Sequence, residues 1–367
     1  MTPRERILAA ISRKPVDRFP FATYNCHPFS WGAHYGADGY GGVLQKIALT
    51  SVSCLCKVQV GSSSRSSAMR SEERFENGTL YATQIWSTPE GPLTRVTRKP
   101  ENQPSFCVKP FITDVEDVRK FLSVPYTPVV WDVSDTISQA SEIGEKGVPY
   151  IAYGDPYYFV SSLFDEEEFA IQTITEFEFI QGMVEYRFEY TRKDLISLLD
   201  LLAPYDLPFL FYTAGPELAT PPLVSPDIFE RLIVPYHTKL VNLIHEYGYQ
   251  VCLHCPGRIA EIFPHVLACG FDAIEPLEPP IQGNMSLEEL TKIAGEKIGL
   301  MGYVQDQDFY LLSEDQIRDH VRRIADHVGE KSGYICCSTC TPFQHPPTKK
   351  YVTNYLAFLD EAEQAAF

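Results

Sequence analysis

Three segments of this chain end in the same way. Val251-Cys-Leu-His254-Cys-Pro-Gly257, Phe271-Asp-Ala-Ile-Glu275-Pro-Leu-Glu278-Pro-Pro280 and Tyr334-Ile-Cys336-Cys337-Ser-Thr-Cys340-Thr-Pro342 each pass from apolar residues into His, Glu or Cys and break at proline. A short apolar run closed by turn residues reads as a buried strand. Each segment would then deliver a metal-ligand or acid–base side chain to a strand's C-terminal lip. If these strands lie in one barrel, their ends converge on one spot rich in His, Glu and Cys.

The rest of the chain has the rhythm such a fold needs. Thr2 to Arg13 reads as an amphipathic helix, with Thr2-Pro3 as cap and first-turn proline. Strands are expected over residues 17–23 and 52–60, and the aromatic and glycine-rich residues 26–48 suit a loop and short helix over a pocket. Gly61–Ser67 reads as a flexible link. Leu80–Trp86 and Leu93–Arg98, flanking Thr88-Pro-Glu-Gly-Pro92, form a β-hairpin pattern. From Asp114 onward helices and strands alternate: helices over 114–122, 133–146, 165–202, 225–247, 257–268, 286–295, 313–328 and 348–364, and strands over 148–153, 207–213, 249–254, 271–276, 298–304 and 334–339. With the two early strands this makes eight βα units. The expected fold is an α/β protein, a (β/α)8 TIM barrel of one domain, 1–367, with an N-terminal β-hairpin insertion over roughly 61–112. An open doubly wound sheet is disfavoured because no Gly-x-Gly-x-x-Gly follows an early strand.

Composition narrows the function classes. The net charge is −17, the opposite of a nucleic-acid footprint, which needs clustered Lys and Arg. Apolar runs fall short of membrane-spanning length, and Met1-Thr-Pro-Arg-Glu-Arg has no apolar signal core. Ten cysteines without a secretion signal are expected as thiols in a cytoplasmic protein.

In such a barrel the active site is built at the C-terminal ends of the strands. His254, Glu217, Glu275, Glu278 and Cys340 fall there. Imidazole, thiolate and carboxylate are the ligands that Zn²⁺ takes. Alternation along a strand groups His254 with Cys252 and sets Cys255 opposite, and groups Cys336 with Cys340. Cys252, Cys269 and Cys336 read as small core hydrophobes, and so does the Cys54-Leu-Cys56 pair. Tyr157, Tyr158, Trp31 and Tyr35 are candidates for an aromatic pocket wall.

Taken in order, several segments resemble the uroporphyrinogen decarboxylase superfamily, within it the cobalamin-dependent methyltransferase branch. They are Arg4-Glu-Arg-Ile-Leu-Ala-Ala-Ile with Pro15-Val-Asp-Arg-Phe-Pro20, Gly215-Pro-Glu217, His254-Cys-Pro-Gly257, Glu278-Pro-Pro280, Gly302-Tyr-Val-Gln305 and Ser338-Thr-Cys-Thr-Pro342. The decarboxylase's arginine-rich segment, which grips substrate carboxylates, has no counterpart in Tyr24-Asn-Cys-His-Pro-Phe-Ser-Trp31. The resemblance therefore implies a methyltransferase similar to the methyl-donor component of O-demethylases. It would move a methyl group from a small methylated substrate, such as an aryl methyl ether, to the Co(I) corrinoid of a separate corrinoid protein. This chain holds no Asp-x-His-x-x-Gly motif of its own.

The resemblance further implies zinc as Lewis acid, held by His254 and Cys340. The middle position carries Pro256 where the branch has Cys, leaving Glu278, favoured, or the adjacent Cys255 as third ligand. Glu217 and His254 are the expected catalytic residues, and Tyr157, Glu217 and Gln305 the expected substrate contacts. Alternatives are a decarboxylase-like lyase and a non-catalytic barrel. No nucleic-acid or membrane partner is expected, and a homodimer is left open.

Overall fold

The apolar runs become strands because β-branched and aromatic residues fit a pleated, buried surface. In the computed structural model, which describes residues 1–63, 69–101, 103–329 and 333–365, they fall in chain order as follows. They are β1 (Ala22–Tyr24), β2 (Ser53–Lys57), β3 (Gly61–Ser63), β4 (Met69–Glu76), β5 (Thr79–Thr88), β6 (Gly91–Pro100), β7 (Phe106–Lys109), β8 (Val130–Asp132), β9 (Gly147–Ala152), β10 (Leu210–Thr213), β11 (Gln250–His254), β12 (Ala273–Leu277), β13 (Gly299–Val304) and β14 (Tyr334–Ser338). The chain divides into two compact units: 1–60 with 133–153 and 201–367, and 61–132 with 154–200.

The first unit is the (β/α)8 barrel. Its strands pair in parallel in the order β1-β2-β9-β10-β11-β12-β13-β14, and a parallel bridge from Phe21 to Cys336 closes the ring. All eight expected strands are there. Side chains alternate across each strand, so Leu55, Tyr150, Tyr212, Cys252, Met301 and Cys337 share the enclosed core. The helix Pro3–Ile11 plugs one end. Thr2 and Glu5 make a reciprocal capping box, Pro3 opens the first turn, and Ile7, Ala10 and Ile11 are buried in that same core. Arg6, almost fully buried, is neutralised by Asp17 at 2.6 Å.

The second unit carries an antiparallel sheet, β4-β5-β6-β7, and the short β3–β8 pair. The expected hairpin is its centre: β5 and β6 pair from Thr79↔Pro100 to Thr88↔Gly91. β4 is exposed along its whole length, so no alternating pattern announced it. Of the link expected at 61–67, residues 61–63 form β3 and 64–67 lie outside the described residues.

Several helices differ from expectation. The one over 225–247 is two, Pro226–Leu232 and Val234–Glu246. Pro235 lacks the N–H that a continuous helix would need, so the break falls just before it. Ser225 makes no side-chain cap bond. The region 165–202 splits at Glu176 into Glu166–Thr175 and Phe177–Leu202. The helix over 257–268 begins only at Phe263, after a turn that follows Pro256-Gly257. Among the described residues no helix is long and apolar enough to cross a membrane.

Candidate active site

His254 is the last residue of β11, and register sets it beside Glu275 of β12. Its Nδ1 lies 2.6 Å from Glu275 Oε1, and the carboxylate is 2% exposed against 25% for the imidazole. Tyr212 of β10 donates its hydroxyl to the same oxygen. The network continues inward: Tyr24 and Tyr212 share a hydrogen bond at 2.6 Å, Tyr212 packs against Tyr150, and Asn25 donates to the Tyr150 hydroxyl at 2.6 Å. A buried carboxylate is tolerated only when its lone pairs are satisfied, and here a histidine and a tyrosine do that.

The electrostatics follow from this packing. Burial by itself would lower the proton affinity of His254. The hydrogen bond to Glu275 and the charges of Glu275, Glu217 and Glu278 outweigh it, so the imidazole is held above its ordinary range. Tyr212 and Tyr24 are pushed far up by burial and then by Glu275; Tyr150 is pushed up to about 12, again mainly by burial. These hydroxyls stay neutral donors. The site is a positively biased histidine on a bed of carboxylate and phenols.

The other expected residues have different partners. Glu217 sits in the short 3₁₀ turn Pro216–Ala219 after β10, where its Oε2 accepts from Gly215 N–H at 2.5 Å. Glu278, just past β12, accepts from Gly257 N–H at 2.7 Å and from Gln305 Nε2 at 3.3 Å. Gln305 is buried; its amide also donates to Gln307 and accepts from Thr339. Cys340 is exposed. Partial burial and the charges of Asp306, Glu275 and Glu278 hold its thiol above the usual range. Strand alternation had grouped it with Cys336, but β14 ends at Ser338, so the rule stops short of it. Cys255 is fully buried, and burial, then Glu217 and Glu275, drive its thiol well up. Tyr157 belongs to the second unit, buried edge-on to Phe169 at 5.2 Å.

The zinc expectation can be set against these placements. His254 has the outer partner of a metal-bound imidazole, a carboxylate on one nitrogen with the other available. Among the described residues, however, no three His, Cys, Asp or Glu side chains stand together so as to hold a metal ion, and both Glu278 oxygens are engaged elsewhere. As placed, His254, Glu278 and Cys340 do not fit the ion. Glu275 and Tyr212 were the residues that sequence reasoning undervalued. The signal available was alternation: Ala273 and Glu275 share a face of β12, as Cys252 and His254 share one of β11.

Residues 213–355 match the family model described as Uroporphyrinogen decarboxylase (URO-D). That segment runs from the end of β10 past β14 and contains His254, Glu275, Glu278, Gln305 and Cys340. No curated protein matches the chain in sequence. Among solved structures, a methyltransferase from Methanosarcina mazei is similar with a TM-score of 0.60 at 14% identity, over 99% of each chain. The Bacillus subtilis mannanase BCman aligns with a TM-score of 0.43 at 9% identity, over 95% of this chain and 88% of that one. The M. mazei likeness shows the fold over the full chain, and the family match covers its C-terminal part only.

Proposed function

We propose that the protein is a methyltransferase, taking a methyl group from a small methylated donor, an aryl methyl ether first among them, and passing it to the Co(I) corrinoid of a partner protein. The observation that carries this reading is the His254–Glu275 pair, an imidazole of raised proton affinity fixed by a buried carboxylate at the barrel lip. A methyl ether is a poor methyl donor because its leaving oxygen would depart as an anion. A general acid that protonates the leaving oxygen removes that obstacle. The Co(I) electron pair attacks the methyl carbon in line, and the C–O pair moves to oxygen. With Nδ1 engaged by Glu275, Nε2 of His254 delivers the proton that makes this oxygen a hydroxyl. Glu217 orients the donor. The loop Tyr24–Trp31 brings no arginine, which disfavours a polycarboxylate substrate and with it a decarboxylase of porphyrinogen type.

A second reading of the same residues is zinc on His254, favoured by the carboxylate behind the ring. It requires Glu278 to leave Gly257 and Gln305. Metal content of the purified protein, beside that of a His254→Ala/Cys340→Ala variant, decides it.

The test of the main reading is an assay of Co(I) cobalamin methylation with a panel of methyl ethers, methylamines and methylthiols. Turnover of at least one donor is expected, reduced about 10²-fold or more in His254→Ala. Turnover that survives His254→Ala undiminished would exclude the histidine as acid.

A further inference from the structure

The second unit contains a cavity of about 620 Å³, within the range of small-molecule sites, and all its lining residues belong to that unit. Its walls come from the hairpin, from three helices, from the segment 124–128, and from Met69 and Phe111. In the β5–β6 register Trp86 opposes Leu93 and Gln84 opposes Arg95, so Trp86, Gln84, Leu93 and Arg95 point to one side of the sheet. Facing them are Phe121 from the helix Val115–Leu122, Phe159 from Pro156–Ser161, and Tyr186 and Arg187 from Phe177–Leu202. The rings present edges to one another: Trp86 to Phe121 at 5.9 Å and 70°, Phe121 to Tyr186 at 5.9 Å and 74°. An enclosure of ring edges and faces accepts another flat ring at little conformational cost.

Its charge is unlike that of the chain around it. The chain carries −17, yet among the described residues no Asp or Glu lines the cavity while Arg95 and Arg187 do. Arg187 lies over the Phe159 ring at 3.9 Å. Arg95 Nε is buried without a hydrogen-bond partner among the described residues. A guanidinium N–H left so is costly and is relieved by an acceptor; the acceptor matching its planar fork is a carboxylate.

We infer that this cavity is a second ligand site, which binds an aromatic carboxylate with its ring against Trp86, Phe121 and Phe159 and its carboxylate on Arg95. The inference does not depend on methyl transfer at the barrel.

Naphthalene-2-carboxylate and its neutral isostere naphthalene-2-carboxamide, titrated into the full-length protein by calorimetry with tryptophan fluorescence in parallel, provide the test. One equivalent of carboxylate should bind, at least tenfold tighter than the carboxamide. Arg95→Gln should weaken the carboxylate at least tenfold and leave the carboxamide unchanged. Gln84→Glu, which sets a competing carboxylate opposite Arg95, should do the same, each variant being checked by its melting temperature. Binding should persist in His254→Ala, which separates this cavity from the barrel lip. Equal affinity for the two probes, no saturable binding by the wild type, or unchanged carboxylate affinity in either folded variant would overturn the assignment.

Discussion

His254 is protonated more readily than a free histidine even though the barrel buries much of it, because three carboxylates face it. His27 and His34 have burial without that compensation. Both are buried; His34 has no hydrogen-bond partner on either ring nitrogen and His27 none on Nδ1 among the described residues. Burial first, then mutual repulsion with His34 for His27 and with His345 for His34, lowers each to about 4. The unfolded chain, with these groups near 6.5, binds more protons between about pH 4 and 6.5, so stability falls as pH drops through that window. Melting temperature should therefore decline on acidification from pH 7 to 4.5, and His34→Phe should flatten that decline; an identical slope in the variant would contradict the assignment. At this scale the sequence was only partly legible. His254 could be read from its place before Pro256-Gly257. Alternation offered its partner only a face of β12; the pairing of Glu275 with His254 rests on cross-strand register, and the proline-flanked Glu278 is instead spent on Gly257 and Gln305.

Elements were more legible where a local rule decides them. The capping boxes at Thr2, Ser286 and Ser313 start helices within a residue or two of where the sequence places them. Where packing decides, legibility falls: β4 is exposed throughout, and Pro235 splits a helix whose apolar pattern continues on both sides. One element boundary bears directly on the site. Gly302 in β13 has φ +126°, and a Cβ there would lie 2.6 Å from Leu277 N and 2.9 Å from Leu277 O. β12 and β13 also change register between Ile274 and Leu277, the stretch that carries Glu275. Both the positive φ and the backbone clash act against any side chain. Gly302→Ala should cost about 2–4 kcal/mol in denaturant unfolding and should lower activity along with stability; a loss below about 0.5 kcal/mol would show that β12 and β13 can part without strain.

On the scale of the whole molecule, eight strand-like runs alternating with helices, three of them ending in His, Glu or Cys, left little besides a barrel, and the ring closed by Phe21 and Cys336 bears that out. The second unit was harder to read because its strands combine exposed residues with a cavity whose walls come from segments far apart in sequence. The barrel's other end depends on the helix Pro3–Ile11, whose Ile7 and Ile11 are fully buried against the strand interior; each such side chain contributes about 1.5–3 kcal/mol. Deleting residues 1–13 should leave Leu55, Met301 and Ile335 open to water. The shortened chain should bind a hydrophobic dye or precipitate, whereas a soluble form melting as the wild type does would show the plug to be dispensable. The central claim, that His254 held by Glu275 is the proton donor for methyl transfer, is tested most directly by the pH–rate profile of Co(I) cobalamin methylation in the wild type and in Glu275→Gln. The rate should fall as pH rises through the elevated proton affinity of His254. In Glu275→Gln that limb should move to lower pH, because burial persists while the strongest raising influence is gone. A profile flat through the neutral range, or one that Glu275→Gln leaves in place, would contradict it.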